Sequence, residues 1–399
     1  MDALTTPSNW QRVRLGDIAE IKRGASPRPI ENPKWFCANS NVGWVRISDI
    51  SKNSRFLYKT AQKLSKKGIE KSRLVKQNSL IMSMCATIGK PIITKIDTCI
   101  HDGFVVFENP KIDLNYLYYF LCYIEKEWLE SGQQGSQVNL NVDLIKNKEV
   151  FYPKDLNEQI AIANVLSDVD HYLYSLDALI LKKESVKKAL SFELLSQRKR
   201  LKGFNQNWQR VKVKDFGIII TGSTPLTQIS EYWNGTISWI TPTDINDNKD
   251  IFNSERKITQ KGLDTIRMIP KNSVLVTCIA SIGKNAILRV NGACNQQINA
   301  IIPNKDFNAD FIYYLMENNK QYLLGKAGVT ATYIISKQVF EEIDFFVPKD
   351  LNEQIAIANI LSTLDHEIIS LKNKKRQFEN IKKALNHDLM SAKIRVLKK

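Results

Sequence analysis

The sequence predicts an α+β protein: two duplicated, mixed, strand-dominated globules separated by two long helices packed as an antiparallel coiled coil. Three observations predict it. The whole chain is duplicated; each copy changes texture from short β-type runs to helical periodicity; and each helical stretch carries an apolar seam. A chain of 399 residues has room for about two or three domains, and 43% apolar content is ordinary for buried cores, which excludes a disordered or fibrous protein.

The duplication fixes the organisation. NWQRVRLGDIAEIKRGASP from Asn9 returns as NWQRVKVKDFGIIITGSTP from Asn207, and GWVRISDIS around Trp44 and Asp49 returns as SWITPTDIN around Trp239 and Asp244. KLSKKGIEKSRLVKQNSLIMSMCATIGK from Lys63 matches KITQKGLDTIRMIPKNSVLVTCIASIGK from Lys257, and twelve residues are identical between Pro153 to Asn164 and Pro348 to Asn359. So long a period is a domain duplication, since solenoid repeats are far shorter. The expected parts are a first globule at 1–152, a helical region at 153–206, a second globule at 207–347 and a helical region at 348–399.

Within the globules, β-type runs fall at 45–47, 79–82 and 104–107, and again at 273–278 and 300–302, with a helix or two expected, for example around 117–129. Each helical region opens on an Asp with Glu three residues on, Asp155 with Glu158 and Asp350 with Glu353, the pattern of a capping box. Apolar residues then recur at Leu166, Val169, Leu173, Leu176 and Ile180, and at Leu361, Leu364, Ile368 and Leu371. Val186, Leu190 and Leu194, with Ile381, Leu385 and Leu389, continue the two stripes. At about 40 residues and ~1.5 Å per residue each helix spans roughly 60 Å. An ordinary amphipathic cover for each globule is the competing reading of the same stripe.

The N-W-x-x-V opening strand, the G-x-(S/T)-P loop and the P-x-x-L-N-E-Q-x-x-I-A entry to a long helix, all present twice in the same order, resemble the specificity subunit of type I restriction-modification systems. The resemblance covers essentially the whole chain. It implies that the globules are target recognition domains, each reading one half of an asymmetric, bipartite double-stranded DNA site. The helices would set the spacing between the half-sites and dock the modification (methyltransferase) subunits, alongside a restriction (endonuclease and translocase) subunit. It also implies that this chain binds no cofactor itself, S-adenosylmethionine, ATP and Mg belonging to those partners.

Candidate contact residues lie in loops. The turns Gly24 to Pro27 and Gly222 to Pro225 offer backbone N–H groups and the Ser26, Ser223 and Thr224 hydroxyls, with Lys22 and Arg23 adding charge; a simple turn that ends a strand is the equal alternative for each. Arg46 and Ser48, with Asp49, and Thr241 and Thr243, with Asp244, suit base edges or capping. Asn295, Gln296, Gln297 and Asn299 carry amides of the kind that pair with adenine, where the first copy has His101 and Asp102. Gln133 and Gln137, matched by Thr332, form a polar run that reads as recognition loop or solvated loop.

Motifs for catalysis are missing. Asn32-Pro33 is followed by Lys34 and Asn109-Pro110 by Lys111, which breaks the tetrapeptide an amino-methyltransferase needs; Gly89-Lys90 and Gly283-Lys284 lack the rest of a P-loop. Ser281 and Lys284 spell S-x-x-K without its companion motifs. Four scattered histidines and six unpaired cysteines give no metal-ligand spacing and suggest reduced thiols in a cytoplasmic protein, with no leader and no apolar run long enough for a membrane span. A duplicated non-catalytic scaffold that binds proteins is the alternative; a stand-alone enzyme is a weaker third.

The net charge of +16 points to an anionic partner. It is concentrated: residues 182–202 hold eight Lys/Arg against Glu184 and Glu193, and residues 371–399 hold ten against Glu379 and Asp388. These distal helix ends are expected to face spacer phosphates or an acidic patch on a partner, with Lys187, Lys188, Lys382 and Lys383 prominent.

Overall fold

The most apolar runs of the first copy, Leu80–Ser83, Pro91–Thr94 and Phe104–Glu108, become neighbouring strands, because a strand apolar on both faces needs cover on both. The computed structural model describes residues 8–51, 55–131, 140–246, 248–329 and 332–396. In it these runs are the middle of a five-stranded sheet, flanked by Glu20–Arg23 on one edge and Phe56–Leu57 on the other. A second sheet of Gln62–Lys63, Gly43–Val45, Thr98–Ile100 and Arg73–Val75 packs Trp44 and Cys99 with Trp35 and Leu64.

The second copy repeats the order. Gly217–Thr221, Ile298–Pro303, Ser273–Thr277, Asn285–Leu288 and Asp250–Ile251 form its five-stranded sheet, and Lys257–Ile258, Trp233–Ile240 and Gly292–Cys294 its smaller one. Even the register repeats: Phe107 faces Leu80, and Ile301 faces Val274. One expectation needs correction. The strand placed at 45–47 ends at Val45 and Ile47–Ser51 is helical, because the Asp49 carboxylate accepts the Arg46 N–H at 2.9 Å and closes a turn. Around 117–129 lie two helices, Leu114–Tyr123 and Glu125–Ser131.

Two compact units result, one of Met1–Asp177 with Lys374–Lys399 and one of Ala178–Asn373. Each therefore combines one globule, or head, with the opening half of one long helix and the closing half of the other. The long helices are Leu156–Leu195 and Leu351–Met390.

The twelve-residue identity is explained where helix meets head. Asp155 and Asp350 do cap, accepting the Asn157 and Asn352 N–H groups at 2.9 and 2.8 Å. The capping box does not close, however. Glu158 accepts from Trp10 Nε1–H at 3.3 Å and takes both arms of Arg395, at 2.8 and 3.2 Å. Glu353 accepts from Trp208 Nε1–H at 3.2 Å and takes both arms of Arg200. A forked, charge-assisted pair outweighs one backbone cap. Next to each, a buried glutamine ties strand to head helix: Gln159 donates to Pro153 O and accepts from Asp113 N–H, and Gln354 donates to Pro348 O and accepts from Asn308 N–H. Ile162, Ala163 and Leu166 then enter the first head's core, as Ile357, Ala358 and Leu361 enter the second's.

The same cores are closed by helix ends. Leu389 and Met390 join the first, Leu194 and Leu195 the second. Each helix then stops at a left-handed residue, Ala392 (φ 59°) or Gln197 (φ 62°), a C-terminal turn that brings Arg395 or Arg200 back to its glutamate.

Helix packing is antiparallel inside each unit. In the first, Asp170 pairs with Lys382, Tyr172 packs against Phe378 with tilted rings 4.5 Å apart at their centres, and Asp177 pairs with Lys375 at 2.6 Å. In the second, Lys183 pairs with Glu367, Lys187 with Asp365 and Glu184 with Lys372. Along the expected seam Leu166, Leu176, Ile180, Leu361 and Ile368 are buried, while Val169, Leu173, Leu364 and Leu371 are half-buried. Val186 and Ile381, expected to continue it, are exposed. A straight helix drifts about 20° per heptad against a strict seam, and by these positions Lys187 and Lys382 have turned inward instead.

Those lysines serve a buried polar cluster. Asp170 accepts from the Tyr119 hydroxyl at 2.6 Å as well as from Lys382, and Arg55, 5% exposed, donates to Tyr119, Ser167 and Asn115. The second unit repeats the core of it with the Tyr314 hydroxyl on Asp365 at 2.7 Å, beside Lys187. Head and helix are thus joined by directional bonds that fix one orientation.

Candidate nucleic-acid interface

In the first head the loops after Glu20–Arg23, Gly43–Val45 and Thr98–Ile100 converge, because their strands end at the same rim of the two sheets. Between them is a cleft of about 420 Å³ lined by Ser26, Arg28, Ile30, Trp44, Arg46, Ile47, Ser48, His101 and Asp102. Five residues singled out from the sequence, Ser26, Arg46, Ser48, His101 and Asp102, therefore meet in one place. Arg28, two residues beyond Ser26, was missed; a cation directly after the G-x-(S/T)-P turn was the available signal.

The cleft is rigidly built. Asp102 accepts from Ser26 Oγ at 2.7 Å and from Arg28 at 3.0 Å, and its carboxyl is held below the usual range by that serine hydroxyl above all. Arg23 donates to Asp102 O at 2.7 Å. His101 Nδ1 accepts the Gly103 N–H at 2.9 Å, leaving Nε2–H as the donor, and the ring lies edge-on to Phe104. Gly24 is required here: a Cβ on it would stand 2.0 Å from His101 O. Asp49 braces the Arg46 loop through two backbone N–H groups and is itself buried, so it is part of the frame.

The second head uses the same frame with other side chains. Gly222 passes Asn295 O so closely that a Cβ would lie 2.2 Å away, and Asp244 braces Thr241 and Glu255 as Asp49 braces its loop. Thr224 donates to Gln296 Oε1 at 2.6 Å where Ser26 meets Asp102. Asn295 takes the role of His101: its Oδ1 accepts the Gln297 N–H at 3.1 Å and its Nδ2–H donates to Gln297 Oε1 at 2.9 Å. That amide is thereby committed to the loop, and Asn299, 3% exposed, bonds Thr221 and Cys278 inside the sheet. Ser223 supplies its carbonyl to Trp239 Nε1–H at 3.0 Å. Thr243 shares a 2.7 Å bond with Thr241, while Gln296 stays exposed.

Burial pushes the His101 ring down to about 4, against the upward pull of Asp102. A histidine near 6.5 in the unfolded chain and about 4 in the fold binds its proton more readily when unfolded. Head stability is therefore full above about pH 6.5 and declines as pH falls toward 4. His101→Asn, the residue of the second head, is expected to flatten that decline. Melting curves of both proteins between pH 7 and 4.5 check it; parallel pH profiles would contradict the assignment.

Other candidates lie elsewhere. Lys22 is paired to Glu108 and Glu20 on the outer strand of the large sheet. Thr332 is half-buried beside the short hairpin of Gly328–Val329 and Tyr333–Ile334. Gln133 and Gln137 fall outside the described residues. At the basic helix ends the half-buried Lys187 and Lys382 pair with Asp365 and Asp170 of the other helix, while Lys188 and Lys383 form no ion pair among the described residues. The sequence offered no cue to those pairs, whose acids sit on the other helix. Among the described residues no His/Cys/Asp/Glu group is placed to hold a metal and no helix is long and apolar enough to cross a membrane.

The chain is thus of a duplicated α+β class, in which two heads share one loop frame and differ in the residues mounted on it. Residues 7–183 and 205–380 both match the type I restriction modification DNA specificity domain, and the chain belongs to that family. It is 35% identical over 184 residues to the specificity subunit of the type I restriction enzyme MjaIX of Methanocaldococcus jannaschii, covering 45% of this chain and 42% of that protein. To the EcoR124I/EcoR124II specificity subunit of Escherichia coli it is 26% identical over 272 residues, 65% of each. These two matches thus span less than two thirds of either relative. The fold is that of the S subunit of a type I restriction-modification system from M. genitalium, with a TM-score of 0.61 at 14% identity over 97% of both chains.

Proposed function

We propose that the chain is the DNA-reading specificity subunit of a type I restriction-modification complex, each head reading one half of an asymmetric, bipartite double-stranded site. The observation that carries this is the shared frame with exchanged residues: Arg46, His101 and Asp102 in one head stand where Thr241, Asn295 and Gln296 stand in the other. A frame kept and a reading surface changed is what two different half-sites require. The chain is non-catalytic and acts in the cytoplasm. Methyl transfer from S-adenosylmethionine belongs to modification subunits, and ATP- and Mg-dependent cleavage to a restriction subunit.

Binding of the full chain with its modification subunits to a cognate duplex should weaken linearly in log K against log salt, as phosphate contacts dictate. A salt-independent association, or none with DNA, would favour the protein-binding scaffold.

A further inference from the structure

We infer that the cleft of the first head is a guanine-reading subsite and that Arg46 is the residue that sets its specificity. The inference rests on the DNA-reading function proposed above and adds to it the base and the side chain. Two guanidinium groups stand in the cleft wall, those of Arg28 and Arg46. Arg46 is exposed, and its guanidinium has no hydrogen-bond or ion-pair partner among the described residues. Arg28 is steadied by Asp102, whose carboxylate oxygens accept one bond each from Ser26 and Arg28. His101 also lines the cleft, its Nδ1 being used by the Gly103 N–H. Trp44 is 1% exposed and its Nε1–H, closed off from solvent, has no acceptor among the described residues, so it belongs to the frame and is not a donor that a ligand reaches.

A base edge that presents only acceptors fits this wall. In the major groove that edge is guanine, with O6 and N7 side by side at the spacing of a guanidinium fork; adenine presents a donor at N6 beside N7, which the two N–H groups of an arginine fork do not match. The wall is also part apolar, from Ile30, Ile47 and the Trp44 ring, which suits a flat base better than a hydrated phosphate. The second head lacks the arrangement: Thr241 stands for Arg46 and Leu226 for Arg28. It should not demand guanine at the matching position.

The test selects duplexes from a randomised library with the full chain and its modification subunits, comparing the natural protein with Arg46→Thr and Arg46→Lys. The natural protein is expected to return one invariant guanine in the first-head block that both variants lose, discrimination there dropping about 10- to 100-fold. The second-head block should be unchanged in all three, which shows that the variants fold and bind. Lysine keeps the charge but not the fork, so a phosphate contact would leave Arg46→Lys near natural and Arg46→Thr weaker on every sequence alike. That pattern, or unaltered discrimination in both variants, overturns the inference while leaving the DNA-reading function intact. Failure of the natural protein to select any sequence would instead remove the function on which it rests.

Discussion

Glu353→Ala is expected to destabilise the second unit by about 3 kcal/mol, the usual cost of breaking a buried ion pair from one side. Glu353 is 1% exposed, and its loss strands three groups at once: the two arms of Arg200 and the Trp208 Nε1–H. Arg200 is about a quarter exposed, so part of its charge returns to water and the lower end of the known range applies. Glu158→Ala should behave alike in the first unit, through Arg395 and Trp10. Urea unfolding reads the effect as a fall in midpoint. Because the pair is coupled, Arg200→Ala on top of Glu353→Ala should cost little more, and full additivity would show that the two do not depend on each other.

The second large effect is on reading. Gly24→Ala places a Cβ 2.0 Å from His101 O, and the obstacle is backbone that no rotamer change can move. The turn must part from the His101 loop, and Ser26, Arg28 and Asp102 lose their mutual bonds. Binding to the natural duplex is expected to fall about 1,000-fold, toward non-specific affinity, with the half-site of the second head still preferred. Gly222→Ala, 2.2 Å from Asn295 O, should do the converse. Gly325→Ala, whose nearest neighbour would be 3.5 Å away, is the control expected to bind normally. Competition assays with duplexes altered in one half-site at a time distinguish these outcomes.

What the sequence disclosed depended on the range over which its signals act. Duplication, capping Asp155 and Asp350, and the first half of the seam are patterns among near neighbours, and they could be read directly. The loops of the cleft were located because repeated Gly, Trp and Asp marked their frame. Glu158 was misread because a local rule assigned it to the helix start, while its partner Arg395 lies 237 residues along the chain. The partners of Lys187 and Lys382 were hidden for the same reason, as charge counted along one helix is blind to an acid on another. Ile47 looked like strand by residue type until Asp49 closed the turn beneath it. Asn295 and Asn299 were attractive as amides, but only the fold shows both already bonded inside their own head.

The central claim is that two unlike heads read two unlike blocks of one DNA site. Footprinting of the full chain with its modification subunits on a selected duplex tests it directly. Two protected blocks of different sequence, separated by a spacer whose bases can be changed freely, are expected. One continuous protected block, or two blocks related as a palindrome, would contradict it.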